Sequence, residues 1–240
     1  MEKMRLDKLL ATAGTGTRSE VKGLIRKGQV TVNGEICKKA DEKVDVDTDR
    51  VTVNGKEVSY SKYEYHLLYK PAGCVSATKD NVHQTVLDYI SSDRKGELFP
   101  VGRLDLDTEG LLLITNDGEL AHQLLSPGRH VPKTYYAKIN GKVTQEDAEV
   151  FTRGIDIGEE KPTLPAVLRI LTAGEVSEIE LTICEGKFHQ VKRMFHAIGK
   201  EVTYLKRISM GSLVLDKTLP VGGSRRLTKT EIEELKKRST

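Results

Sequence analysis

No run of apolar residues in this 240-residue chain is longer than four, the extreme being Leu111-Leu112-Leu113-Ile114. A helix that crosses a bilayer needs about 20, so none is expected. Cysteine is scarce: Cys37, Cys74 and Cys184 are odd in number, far apart and without a Cys-x-x-Cys pair. That excludes a disulfide framework and a cysteine-based zinc site and leaves three free or buried thiols. The N-terminus lacks the apolar core of an export signal, because Glu2, Lys3, Arg5, Asp7 and Lys8 place charge there, and the cytoplasm is the expected compartment. Tryptophan is absent, and no repeat or low-complexity tract occurs. What is present is 38% hydrophobic and 30% charged residues, the balance of an ordinary soluble globular chain with room for one or two domains and an enzyme.

A formal charge of +3 is too small to announce a polyanionic partner, so its distribution matters more than its sum. Residues 1–39 carry nine Lys or Arg against four Asp or Glu, whereas residues 40–59 carry three against six. A second basic cluster, Lys187, Lys192, Arg193, Lys200, Lys206 and Arg207, has only Glu185 and Glu201 beside it. Two basic patches far apart in sequence can meet one long polyanion.

Leu6, Leu9, Leu10 and Ala13 recur at helical spacing until Gly14 and Gly16 stop them. Thr17-Arg18-Ser19-Glu20 has the spacing of a capping box and predicts a second helix, with Val21, Leu24 and Ile25 on its apolar face. Arg18, Lys22 and Arg26 fall four apart on the other face, and Gly28 ends the helix. Alone, such a stripe is more often a solvated face than a binding surface. Val30 and Val32 alternate before Asn33-Gly34, and Val51 and Val53 before Asn54-Gly55, which predicts two tight hairpins. The ordered series Arg5-Leu6-Asp7-Lys8-Leu9-Leu10, Thr17-Arg18-Ser19-Glu20 and Leu24 to Gly34 resembles the S4 RNA-binding domain. The likeness implies a module, residues 1–59, that grips structured RNA through phosphates and shape.

A second domain, residues 60–240, is expected after it. Gly110 to Thr115 reads as a buried strand closed by Asn116-Asp117-Gly118, Lys133 to Ile139 and Val176 to Cys184 as strands, and Gln190 to Ile198 as a helix. This is an α+β pattern with much antiparallel pairing. Phe188, Val191 and Phe195 mark a core-facing helix edge, and Thr228-Lys229-Thr230-Glu231 is a further capping box whose helix buries Ile232 and Leu235. Val101 to Gly110 holds Arg103, Asp105, Asp107 and Glu109. A calcium loop needs further oxygen ligands at fixed offsets and a distal glutamate, and no such register continues here, so no metal site is read. A solvated acidic loop and a catalytic carboxylate oriented by Arg103 both stay open. Lys192 and Arg193 stand near a helix start that is already positive, so a compensating anion is expected there. His189 reads as a structural hydrogen-bonder or a proton shuttle; no serine or cysteine nucleophile motif accompanies it.

Four segments in this order, Lys70-Pro71-Ala72-Gly73, Gly102 to Leu113 with Asn116-Asp117-Gly118, Lys133-Thr134-Tyr135, and Glu185-Gly186-Lys187-Phe188-His189-Gln190-Val191-Lys192-Arg193-Met194-Phe195, resemble the motifs of the RsuA-type pseudouridine synthases. The resemblance implies a catalytic domain built on a mixed, largely antiparallel sheet flanked by helices. It implies isomerisation of uridine to pseudouridine in ribosomal RNA, with no cofactor and no metal, by a monomer without membrane contact. His189-Gln190-Val191-Lys192-Arg193 is most similar to the small-subunit (16S) enzymes, at a site of the uridine 516 type; a large-subunit (23S) enzyme and a non-catalytic RNA-binding or assembly factor are the alternatives. By motif position Asp105 is the essential carboxylate, Tyr135 lies against the uracil, and Lys192 pairs with Asp105 and keeps it ionised. Lysine here replaces the arginine common in related synthases, so bidentate pairing is lost. Asp105 can act at C1′ as an anion or nucleophile, or remove a ribose proton to give a glycal. Contacts to RNA are assigned to Arg5, Lys8, Arg18, Lys22, Arg26, Arg103, Lys187, His189 and Arg193 around a flipped-out nucleotide.

Overall fold

The computed structural model describes residues 3–46, 48–58 and 60–237, which fall into two units: one formed by residues 1–63 with 92–96, the other by the remainder. The expected module end near Ser59 lies outside the described residues. In the first unit β1 (Lys3–Arg5) leads into α1 (Leu6–Thr12) and α2 (Arg18–Arg26), then β2 (Val30–Val32), β3 (Glu35–Ile36), β4 (Lys43–Asp45), β5 (Val51–Val53) and β6 (Lys56–Glu57). The capping box is formed: Thr17 N–H donates to Glu20 at 2.7 Å, and Glu20 N–H donates back to the Thr17 hydroxyl at 3.4 Å. Asn33 and Gly34, and likewise Asn54 and Gly55, all have positive φ, the type I′ geometry whose twist suits a two-residue hairpin. Leu6, Leu9, Leu10, Val21, Ile25 and Val30 close a separate small core.

The second unit contains β7 (Tyr65–Lys70), β8 (Phe99–Pro100), β9 (Glu109–Thr115), α3 (Gly118–Leu125), β10 (Lys133–Asn140), α4 (Gln145–Arg153), β11 (Val167–Thr172), β12 (Val176–Ile183), α5 (Gln190–Ala197), β13 (Glu201–Met210), β14 (Leu213–Val214), β15 (Ser224–Arg226) and α6 (Lys229–Lys237). The sheet order is β11-β12-β10-β13-β9-β7-β15, with β14 beside β13 and β8 beside β9. Every pair is antiparallel except β13 with β9, so the α+β expectation of a mixed, largely antiparallel sheet holds. Residues 110–115 of the central strand β9 are all buried, which is why its sequence is a continuous apolar run rather than an alternation. Where β9 meets β13 the backbones nearly touch: a Cβ on Gly110, at φ +109, would lie 2.2 Å from the Arg207 carbonyl oxygen. Only glycine fits that approach. No helix among the described residues is long and apolar enough to cross a membrane.

One expectation fails locally. Phe188 is 68% exposed rather than core-facing, and its ring stacks on His189 with centroids 3.8 Å apart. His189 adopts a left-handed backbone, φ +48, so α5 starts at Gln190 and the helical period does not reach back to Phe188. Val191, Met194 and Phe195 carry the buried edge instead.

At the C-terminus Glu231 caps α6 through the Thr228 N–H and takes two hydrogen bonds from Arg225 at 2.8 and 2.9 Å. Arg225 thereby holds the Glu231 carboxyl down at about 2 from an ordinary 4.5. A depressed carboxylate stabilises the fold above its unfolded value and loses that contribution as pH falls through the folded one. Resistance to urea is therefore expected to drop between about pH 4.5 and pH 2, and less so in Glu231→Gln; equal pH profiles for the two proteins would contradict this assignment.

Candidate active site

The loop that carries Asp105 is fixed through its backbone rather than its side chains. Lys70, at the end of β7, is fully buried, and its ammonium donates to the carbonyls of Pro71 (3.0 Å), Asp105 (3.0 Å) and Thr108 (2.9 Å). Ser76 hydrogen-bonds both the N–H and the carbonyl of Leu104, at 3.0 and 2.9 Å, and Gly73 N–H donates to Leu106 at 2.8 Å. Burial pulls the Lys70 pKa down, while the nearby acids, including Asp105, Asp107 and Glu109, pull the other way.

The Asp105 carboxylate, 26% exposed, lies 3.5 Å from Lys192 Nζ and 3.6 Å from His189 Nε2. The expected pairing of Lys192 with Asp105 is present as an ion pair, and Lys192 has a second acidic partner. Lys192 makes its hydrogen bonds to Asp107, at 2.6 and 2.8 Å, and only an ion pair with Asp105. An ammonium is a rotatable point charge that serves two carboxylates, where a guanidinium fork would engage one face-on. Lys192 consequently holds the Asp107 carboxyl below the usual carboxylate range. The two acids supply the anion that a cation in the first turn of α5 calls for.

Tyr135 and Asp105 line one cavity of about 80 Å³, together with Leu104, His189, Val191 and Leu205. Tyr135 is 8% exposed, whereas Tyr136, its neighbour on β10, turns to the opposite face and packs edge-on against Tyr204. A groove of about 900 Å³ opens beside Asp105 and is walled in part by Arg103, Leu106, Leu125 and the Phe188–His189 stack.

The residues assigned to RNA divide. Arg103 is exposed on the groove and makes no ion pair among the described residues. Lys8, Arg18 and Arg26 are likewise exposed. Arg5 is committed to the buried Asp7, at 2.9 and 3.1 Å, and Lys22 stands 4.0 Å from the same carboxylate. Lys187 donates to the Lys161 and Pro162 carbonyls, and Arg193 bonds Glu159, the Phe188 carbonyl and the Ile157 carbonyl. Both are hydrogen-bonded within the chain. Sequence reasoning placed Lys70 and Asp107 within motifs but gave neither a role. A lysine continuing the apolar Leu67-Leu68-Tyr69 was the available signal for the first; nothing local distinguished Asp107 from a solvated acid.

A family profile described as RNA pseudouridylate synthase matches residues 64–197, and one for the S4 domain matches residues 4–49. The "Uncharacterized RNA pseudouridine synthase YtzG" of Bacillus subtilis is 48% identical over 97% of this chain and 98% of its own length. "Ribosomal large subunit pseudouridine synthase B" of the same organism is 41% identical over 97% and 95%. "Ribosomal small subunit pseudouridine synthase A" of Vibrio cholerae is 40% identical over 97% and 99%. A crystal structure described as a pseudouridylate synthase is similar with a TM-score of 0.69 and 38% identity, covering 97% of this chain and 99% of that one. The chain therefore belongs to the RNA pseudouridylate synthase family and carries an S4 domain ahead of its synthase domain.

Proposed function

We propose that this protein converts a uridine of small-subunit ribosomal RNA to pseudouridine, with residues 1–59 as RNA-docking module and residues 60–240 as catalytic domain. The observation that carries the reading is one small cavity lined by both a carboxylate, Asp105, and a phenol, Tyr135, beside a groove of about 900 Å³ that Asp105 also lines. The reaction breaks the bond from N1 of uracil to C1′ of ribose, turns the base and joins C5 to C1′, so the formula does not change. An anion beside C1′ is the minimum requirement, because that carbon becomes electron-poor when the base departs. Asp105 supplies it, with Lys192 and His189 on its flanks. A uridine in folded RNA shows its C1′ to no protein group, so the nucleotide is flipped into the cavity while Arg103 and the exposed Phe188 ring meet the neighbouring backbone and base.

A non-catalytic RNA clamp would have had no reason to keep Asp105, Tyr135 and Lys192 together around one site. A large-subunit target is the second reading, because the relatives named for the two ribosomal subunits are 41% and 40% identical to this chain. Tritium release from C5-labelled small- and large-subunit transcripts decides between them. Release from the small-subunit RNA alone is expected; release from the large-subunit RNA alone moves the target, and release from neither sinks the isomerase.

The docking role has its own test. Each phosphate contact releases counterions, so Arg18→Ala with Arg26→Ala is expected to flatten the slope of log affinity against log salt by about 0.7–0.9 per lost contact. An unchanged slope would remove the cationic face of α2 from the interface.

A further inference from the structure

Lys133, Tyr135 and Arg207 share one face of the sheet. Lys133 and Tyr135 alternate on β10, and Tyr135 is the register partner of Arg207 on β13. Both cations are buried, at 8% and 2% exposure. Lys133 Nζ donates to the Val131 carbonyl at 2.9 Å and Arg207 Nε to the Leu111 carbonyl at 2.8 Å, yet neither has a carboxylate partner among the described residues. Arg207 Nη2 is buried with no hydrogen bond at all. Together with Arg103, Leu125, Glu185 and Tyr135 they line a cavity of about 150 Å³ that shares Arg103, Tyr135 and Gly186 with the Asp105 cavity. Glu185 lines the same cavity but makes no ion pair with either cation among the described residues; its Oε1 accepts from the Leu164 N–H at 2.7 Å and from Gln190 Nε2 at 2.9 Å. Two like charges buried in one cavity without an ion-pair partner lower stability, and a buried group left unsatisfied needs a reason. Burial, with Arg207 beside it, pulls the Lys133 ammonium below the ordinary lysine range.

We propose that Lys133 and Arg207 take up the negative charge of the uracil ring while it is detached from the ribose. The inference rests on the isomerase reading above and assigns it a leaving-group site. When the N1–C1′ bond breaks heterolytically, its electron pair stays on N1 and is shared with O2 and O4, while C1′ is met by the Asp105 carboxylate. The ring then turns, a pair from C5 forms the C5–C1′ bond, the C5 proton departs and N1 gains a proton. Charge on the base therefore exists only between the two bonds. Buried cations pre-placed beside the base act most strongly on that species and little on neutral uridine, which is the condition for raising kcat rather than tightening binding. A cavity of this size is roughly that of one six-membered ring, which favours the base over a backbone phosphate as its occupant.

Lys133→Met, Lys133→Arg and the unaltered protein, each full length, are compared in single-turnover reactions on uridine RNA and on the same RNA with 5-fluorouridine at the target, following loss of the starting nucleoside. Turnover by the unaltered protein establishes the isomerase independently of this site. Lys133→Met is then expected to slow kcat about 100-fold with unchanged KM, to lose less on 5-fluorouridine, whose fluorine itself stabilises the detached base, and to unfold at an equal or higher temperature. Lys133→Arg recovers part of the rate. An unaltered kcat, a loss confined to KM and the salt slope as a phosphate site would give, or a rate loss that tracks a lowered unfolding temperature would each overturn the assignment.

Discussion

Replacing Asp105 by asparagine is expected to abolish isomerisation while fold and RNA affinity stay close to those of the unaltered protein. The change keeps shape and removes charge. The side chain is only part-buried and its neighbours Lys192 and His189 stand at 3.5 and 3.6 Å, so stability should move by no more than about 1 kcal/mol. The backbone carbonyl that Lys70 holds is untouched. Turnover, in contrast, loses the anion that meets C1′, and deletions of such a group cost about 10⁴-fold or more. Asp107→Asn is the internal control: it frees Lys192 to move onto Asp105 and is expected to cost less than about tenfold, the scale of an exposed pair. Tritium release for both variants, beside filter binding of the RNA, separates the two acids. If the Asp105 variant turns over and the Asp107 variant does not, their roles are exchanged.

Lys70→Met is expected to be the most damaging single change to the architecture of the site. It leaves the Pro71, Asp105 and Thr108 carbonyls without their common donor in a fully buried position. An orphaned buried acceptor costs about 1–3 kcal/mol, so a loss of about 3 kcal/mol or more in urea unfolding is expected, even after crediting the relief of burying a charge. Whatever folds should react slowly as well, because a shift of about 1 Å in a reacting group can cost about 100-fold. A Lys70→Met protein that unfolds and turns over like the unaltered one would show that the loop is held by Ser76 and Gly73 alone.

Much of the framework is written locally. The Thr17, Thr144 and Thr228 boxes, the two Asn-Gly hairpins and the buried run of β9 depend on residues within a few positions of one another, and the Thr17 and Thr228 boxes, the hairpins and the strand could be read directly. The Asp105 loop and Tyr135 stood out through resemblance, and the alternation on β10 separated Tyr135 from Tyr136. The unread features are the ones that join distant segments. Lys70 reaches a carbonyl 35 residues away, Lys192 an acid 85 away, and Arg193 a carbonyl 36 away. A charged residue in sequence carries no mark of whether it will face solvent or be spent on the chain's own backbone. Phe188 misled for a related reason: its spacing was helical, but a left-handed His189 placed the helix start after it.

In the proposed function a pseudouridine is written into ribosomal RNA through Asp105. Carbodiimide mapping of that RNA, from cells lacking the gene and supplied with either the unaltered protein or Asp105→Asn, tests reaction and address together. One modified position in the small-subunit RNA should vanish with the gene, return with the unaltered protein and stay absent with the asparagine variant. A map that is the same in all strains, or one that the asparagine variant restores, would contradict the account.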